Sequence, residues 1–261
     1  MKVSLVTVVL NNAETIGHAI TSVAEQTYQD IEYIIIDGGS TDGTLEIIEQ
    51  MQQRYPGRIS QVIVGKDKGI YDAMNKGIKH CTGEVVGILN SDDFYANKTV
   101  IEHVVKLLTK TKAQSCYADL QYVDRVNTDK VLRHWRSGKY NYRNFLAGWM
   151  PPHPTFFVQR SLYDKLGYFD LELKSAADYE LMLRFLYRQR ITSAYLPEVI
   201  IKMRVGGLSN QSVAHRLRAN NEDKLAWAKN DLKPRFYTIP LKPLRKLPQF
   251  ILGRLGLAGK I

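Results

Sequence analysis

The stretch VVGILNSDDFY, residues 85–95, runs apolar and β-branched for five positions and then stops in Asn90, Ser91, Asp92 and Asp93. A short, nearly continuous apolar run is what a strand buried on both faces looks like. Its end is the anomaly. Two ionised carboxylates about 5 Å apart repel by roughly 3 kcal/mol at an effective dielectric of about 20. A divalent cation, a cationic ligand or exposure to water would each offset that repulsion.

The same pattern recurs outward from this stretch, at VSLVTVVL (3–10), IEYIIID (31–37) and ISQVIVG (59–65), with EVVGILN (84–90) as its fourth copy. Helical spacing fills the intervals: Ile16, Ile20, Val23 and Ala24, then Leu45, Ile48 and Met51, then YDAMNKGIKHC from Tyr71. Strands alternating with helices of this length predict right-handed βαβ units around a parallel sheet, an α/β fold with helices on both faces. After Asp93 the regularity fades. The pattern there predicts a helix over 99–108, strands around 114–124 and 131–136, an aromatic-rich piece over 140–149, a strand over 155–158, a helix over 177–190 and a strand over 193–201. The expected organisation is one domain over 1–231, in two halves (1–95 and 96–231) sharing a sheet, and a tail over 232–261.

Composition narrows the function. With 261 residues and 44% hydrophobic content the chain can bury a full core. No window holds 18 uninterrupted apolar residues, and the N-terminus reads as a strand and not as a signal peptide. The expected location is therefore cytoplasmic. Cys81 and Cys116 lack CxxC spacing, which argues for buried thiols and against a disulfide framework or a cysteine zinc site. The net charge of +10 is concentrated in the tail, where seven Lys or Arg stand without an acid; residues 1–231 carry 29 basic against 26 acidic groups. A folded face without a strong positive field argues against nucleic acid as a partner.

Ligands of open α/β sheets bind beyond the carboxyl ends of the strands, where strand order reverses. Asn11 and Asn12 follow the first strand, Asp37 ends the second, Asp67 follows the third, and Asn90 to Asp93 follow the fourth. DGGSTDGT (37–44) reads on its own as a glycine-rich turn into a helix cap, with Asp37 suited to accept hydrogen bonds from an imide N–H or a ribose hydroxyl. Neither GxGxxG nor GxxxxGK[ST] occurs, so dinucleotide dehydrogenases and P-loop NTPases lose their main support. In KDKGIYDAMNKGI (66–78), Asp72 in the first helical turn either serves the helix dipole or, with Asp67 and Asn75, walls a nucleoside. For Asp92 and Asp93 a solvated turn is the plain reading. At the crevice, half of a metal–diphosphate site explains the pair better, because Mg²⁺ takes one or two carboxylates with waters and substrate phosphates.

Together, SLVTVVLNNAETIGHAITSVAEQTY, YIIIDGGSTDGT, GIYDAMNKGIKHCTGEVVGILNSDD and LGYFDLELKSAADYELMLRF resemble the inverting bacterial glycosyltransferases of the GT-A fold, over about residues 1–210. The resemblance is to enzymes building exopolysaccharide or O-antigen units. It implies a Rossmann-like mixed sheet and transfer of a sugar, with inversion, from a nucleotide-diphosphate donor to a saccharide or polyprenyl-diphosphate-linked saccharide. By matching position, it places Val8, Asn11, Asp37, Asp67, Asp72, Ser91 and Arg204 around the donor. Asp92 matches the last carboxylate of an Asp-x-Asp motif that holds Mg²⁺ or Mn²⁺. Asn90 stands where the first carboxylate would be, which leaves Asp93 as a second ligand or as a neighbour acting through water. Asp178 falls at the catalytic base, with Ala177 in place of the family's preceding glutamate.

Three features stay open on the residues alone. His153, among prolines, is either structural or a contact to acceptor or diphosphate. Arg204, Gly206, Gly207 and Ser209 resemble a segment that closes over the donor, in which an Arg steadies the leaving diphosphate. The tail sets Leu244, Ile251, Leu252 and Leu255 against Lys242, Arg245 and Lys246. Such a basic amphipathic segment either lies at an anionic membrane surface, on the inner face of the cell membrane, or packs back on the domain. Two rivals complete the expectations: a sugar nucleotidyltransferase, for which the glycine-rich loop after strand 1 is missing, and a non-catalytic nucleotide-sugar-binding protein.

Overall fold

The apolar runs form strands in register with the sequence pattern: β1 (Val3–Val9), β2 (Ile31–Asp37), β3 (Gln61–Val64) and β4 (Val85–Ile88). They are joined by α1 (Ala13–Ala24), α2 (Thr44–Arg54) and α3 (Ile70–His80). The structure is a computed structural model and describes residues 1–206 and 213–245. All three pairings within this half are parallel, in the order β3-β2-β1-β4. Strand order thus reverses beside β1, and the carboxyl ends of β1, β2 and β4 flank the crevice. β1 is buried along its whole length, whereas β3, expected to be buried on both faces, is the sheet edge and leaves Val64 exposed.

The second half extends the same sheet. It contributes β5 (Asp93–Tyr95), α4 (Val100–Thr111), β6 (Ser115–Val123), β7 (Val131–Trp135), β8 (Phe157–Gln159), α5 (Ser161–Leu166), α6 (Ala177–Met182), β9 (Ser193–Arg204), α7 (Val213–Lys229) and α8 (Thr238–Leu244). The order continues β4-β8-β6-β9-β5, with β7 paired to β6. β8 is antiparallel to both β4 and β6, while β6 and β9 run parallel. Arg204, at the end of β9, therefore arrives at the same rim as Asn90. β5 sits four strands from β4 although only four residues separate their ends, five steps along the chain that span at most about 18 Å. Four strand spacings cover about 19 Å in a flat sheet, so the sheet curls and returns its edge strand to the rim.

Alternate residues of each strand feed two cores. Val6, Val8, Ile34 and Ile36 pack with α3, α6 and Trp227, while Val3, Leu5, Val9, Tyr33 and Ile35 pack under α1, α2 and α4. Close approach explains the glycine of α3: a Cβ on Gly77 would lie 2.3 Å from Val6 Cγ1. Both cysteines are free and buried, as expected. The helix expected over 177–190 continues past α6 as a wider π-type turn over Leu183–Arg188.

The tail, expected to start at 232, packs on the domain through α8. Ile239 is buried, Thr238 Oγ1 donates to Leu146 O at 2.6 Å, and Lys242 Nζ meets Asp223 at 2.6 Å and the Tyr179 ring at 3.6 Å. Lys242, on the basic side of the segment that was expected either at a membrane surface or back on the domain, is thus drawn inward by a buried carboxylate. Lys246, Ile251, Leu252 and Leu255 lie outside the described residues, as do Gly207 and Ser209.

Candidate active site at the carboxyl rim

Asp37 ends β2 with its side chain fully buried. Its Oδ1 accepts hydrogen bonds from Gly39 N (2.8 Å) and Ser40 N (2.7 Å), which folds the loop, and Gly39 adopts φ +92° to allow it. Oδ2 is buried without a hydrogen-bond partner. A buried acceptor left open at a crevice is costly unless a ligand donor meets it. Asn11, at φ 51°, ties the first loop to the second: its Oδ1 accepts from Thr41 N and its N–H donates to Ser40 Oγ. Asn12 Nδ2 donates to Ser91 Oγ at 2.9 Å, so Ser91 is held against the start of α1. Val8 is buried in β1 and belongs to the α3-side core.

Asp67 pairs with Lys76 on α3, and its Oδ2 is buried without a hydrogen-bond partner. Asp72 accepts from Lys68 N at 2.8 Å, closing the first turn of α3 as a cap. Asn75 makes a double hydrogen bond to the Phe169 backbone, both bonds 2.9 Å. Asp72 is thus held by its own helix turn and Asn75 by the second half of the chain, while Asp37 and Asp67 keep open oxygens.

At the end of β4 the two acidic neighbours part company. Asp92 sits in the turn, half-buried, while Asp93 enters β5, fully buried, with Oδ2 accepting from Asn90 Nδ2 at 2.9 Å. Burial pushes both carboxyls above the usual carboxylate range, and the charge of Asp92 pushes Asp93 further. Asp93 Oδ1 has no hydrogen-bond partner. Asp93 is thus shut off from bulk water, while Asp92 keeps partial access to it. Arg204 Nη1 donates to the Asp92 carbonyl at 2.7 Å and its guanidinium lies 4.8 Å from the Phe94 ring, whose other neighbour is the stacked ring of His18 at 4.1 Å. His18 is held below its ordinary pKa by burial and then by the Arg204 and Lys202 charges, so its neutral Nδ1 accepts from Arg204. Arg125, in the turn between β6 and β7, pairs with Glu14 and adds positive potential at Asp92.

Among the described residues no three His, Cys, Asp or Glu side chains converge as a self-sufficient metal cage. Asp92 and Asp93 supply the one or two carboxylates that Mg²⁺ or Mn²⁺ uses together with phosphate and water. The orphaned Asp93 oxygen and the raised pKa values are what a missing positive charge would produce, so the donor set fits a divalent cation.

The opposite wall carries Asp178, second residue of α6. The chain ahead of it is anchored by Glu222 Oε2, which accepts from Ser175 N (2.7 Å) and Ala176 N (3.0 Å). Glu180, buried, pairs with Arg184 at 2.9 Å, and Arg184 in turn donates to the carbonyls of Leu166 and Tyr168. One side of α6 is thereby fixed while Asp178 faces the crevice, its Oδ1 accepting from Tyr71 OH at 3.3 Å. Ala177 is packed in the core. His153 lies edge-on to Phe169 at 5.6 Å, and burial holds its pKa down against the pull of Asp178. Burial, and then the charges of Asp93 and Asp178, raise the pKa of Tyr122 on β6 against the pull of Arg133. Sequence patterns gave no signal for Arg125, Tyr122, Tyr71 or His18 at this site. A cavity of about 580 Å³ lined by Leu107, Lys112, Lys139 and Tyr195 lies at the opposite ends of β6 and β9, away from these groups.

Comparison with known proteins agrees with this geometry. The family model described as "Glycosyl transferase family 2" matches residues 4–168. A "PGL/p-HBAD biosynthesis glycosyltransferase" of Mycobacterium bovis is 28% identical over 213 residues, covering 80% of each chain. An uncharacterised glycosyltransferase of Mycobacterium tuberculosis is 32% identical over 184 residues, 70% of this chain and 68% of its own. Among solved structures, residues 1–349 of S. aureus TarS with UDP superpose with a TM-score of 0.65 at 19% identity, covering 89% of this chain and 67% of that one. The mannosyltransferase PcManGT of Pyrobaculum calidifontis with GDP-Man and Mn²⁺ gives 0.67 at 18% identity, covering 100% and 76%. The fold is that of the GT-A glycosyltransferases.

Proposed function

Since the chain belongs to glycosyl transferase family 2, we propose that it moves a sugar, with inversion, from a nucleotide-diphosphate donor to a saccharide or lipid-linked saccharide in bacterial surface polysaccharide or glycolipid biosynthesis. The observation that supports this reading is the acidic pair beyond the end of β4, with Asp93 buried and its Oδ1 unpartnered beside Asp92, together with the unpartnered buried oxygens of Asp37 at the end of β2 and Asp67 after β3. Relatives and structural neighbours support it, since one is a "PGL/p-HBAD biosynthesis glycosyltransferase" and others were solved with UDP, UDP-GlcNAc or GDP-Man.

In this reading Asp37 and Asp67 receive donor N–H and hydroxyl groups, and Arg204 steadies the phosphates. A divalent cation held by Asp92 and Asp93, Mg²⁺ or Mn²⁺, would neutralise the leaving diphosphate. Asp178 takes the proton of the acceptor hydroxyl as its oxygen attacks the anomeric carbon and the bond to the diphosphate oxygen breaks. A single displacement of this kind inverts the centre and needs no covalent enzyme intermediate.

The test is Asp178→Asn assayed for release of UDP or GDP from UDP-GlcNAc and GDP-mannose with Mn²⁺. General base catalysis contributes about 10²- to 10⁴-fold, or roughly 3 to 5 kcal/mol. A loss of that size with donor binding retained is expected. Near-full turnover would show that Asp178 is not the base.

A further inference from the structure

We propose that Tyr71 is a positioning residue for Asp178, fixing one carboxylate oxygen so that the other is presented to the acceptor hydroxyl; this rests on the reading of Asp178 as the base. Tyr71 stands one residue before the capping Asp72, in the first turn of α3, and is one helical turn ahead of Asn75. Residues i and i+4 share a helix face, and here that face joins the two halves of the protein. Asn75 grips the backbone of Phe169 with two hydrogen bonds, and the Tyr71 ring stacks on the Phe169 ring at 5.5 Å. With its ring clamped, the hydroxyl has one direction, and it meets Asp178 Oδ1 at 3.3 Å. No other hydrogen bond to the Asp178 side chain occurs among the described residues, so Oδ2 is the oxygen left for chemistry.

The arrangement has a second consequence. Tyr71 is rooted between Asp67 and Asp72, on the donor side, while Asp178 sits on the acceptor side. A donor that orders the start of α3 also orders the base. The groups facing Asp178 are Tyr71 from α3, His153 from the short turn at His153–Thr155, and Tyr122 from β6, with Glu222 of α7 adding its charge at Tyr71. Burial and then the Asp178 charge keep the Tyr71 hydroxyl protonated well above its ordinary pKa, so it acts as a donor throughout the working range.

The experiment compares wild type with Tyr71→Phe, which keeps the ring and its stack. The ¹³C carboxyl resonance of Asp178, assigned by its absence in Asp178→Asn, is titrated by NMR, and release of UDP or GDP is followed with UDP-GlcNAc and GDP-mannose. A carboxylate that loses a hydrogen-bond donor holds its proton to higher pH. The acid limb of kcat moves to higher pH with it, and kcat falls about tenfold with KM for donor within twofold. Phe169→Leu, which loosens the clamp but keeps the hydroxyl, moves the same titration in the same direction. An Asp178 titration and a kcat–pH profile that overlay wild type in Tyr71→Phe overturn the positioning role. If Asp178→Asn turns donor over at the wild-type rate, the base reading fails on its own account and the role falls with it.

Discussion

At the scale of single residues, Asp93 carries a cost to folding. Asp93 is buried beside Asp92, with one oxygen lacking a partner and its pKa raised by burial and then by its neighbour. A carboxyl whose folded pKa lies above its unfolded value costs stability as pH rises from the unfolded value through the folded one. Asp93→Asn keeps the size and the acceptor that Asn90 donates to, and removes that cost. In EDTA at pH 7 the variant should melt a few degrees higher than wild type, as a gain of about 1 kcal/mol produces. The stabilisation that Mn²⁺ with UDP or GDP gives wild type should be lost in it. A lower melting point in EDTA would show that Asp93 is already satisfied within the protein. The place of Asp37 at the end of β2 and of the Asp92–Asp93 pair beyond β4 was legible in the apolar pattern, whereas Asp178 was singled out only by resemblance to the family's motif. Arg125, Tyr122 and His18 were not legible, since only the curl of the sheet brings them to the rim.

At the scale of elements, the rim opposite the crevice is built for cohesion. Glu32 on β2 accepts from Lys2 Nζ (2.8 Å), Ser4 Oγ (2.5 Å), Thr82 N (2.7 Å) and Thr82 Oγ1 (2.6 Å), joining β2 to β1 and to the chain entering β4. Burial opposes its charge, but these bonds outweigh it and hold the carboxyl at about 2, below the ordinary 4.5. A depressed carboxylate gives stability that is present above its unfolded pKa and lost as pH falls through the folded one. Melting temperature against pH should therefore drop between about pH 4.5 and 2, and Glu32→Gln should melt lower at neutral pH and show a shallower fall across that window. An unchanged slope would remove Glu32 from the acid response. β1, β2, β6 and α1 to α4 follow from apolar period and length, and were readable, whereas α7, the longest helix among the described residues, was not expected. Nor was β5, because three residues starting with a buried carboxylate carry no strand pattern and depend on β9 for partners. The π-type turn after α6 also left no trace, its residues keeping an ordinary helical spacing.

At the scale of the whole molecule, two halves share one sheet, as the alternation of strands and helices predicted for the first half and the mixed pattern allowed for the second. The antiparallel insertion of β8 between β4 and β6 and the return of β5 to the rim are non-local, and no local pattern encodes them. The sequence left two places open for the tail, a membrane surface or the domain itself, and could not choose between them because the partners of Lys242, Asp223 and Tyr179, are distant in the chain. The global arrangement is what turns four strand ends and one helix start into a single crevice, and it can be tested directly. The measurement is the anomalous difference map of a crystal grown with Mn²⁺ and UDP or GDP. The account predicts a manganese peak beside Asp92 at the end of β4, with the diphosphate between that peak and the Asp178 wall. Manganese or nucleotide bound elsewhere, for instance in the cavity at the far ends of β6 and β9, with Asp92 and Asp93 left bare, would contradict it.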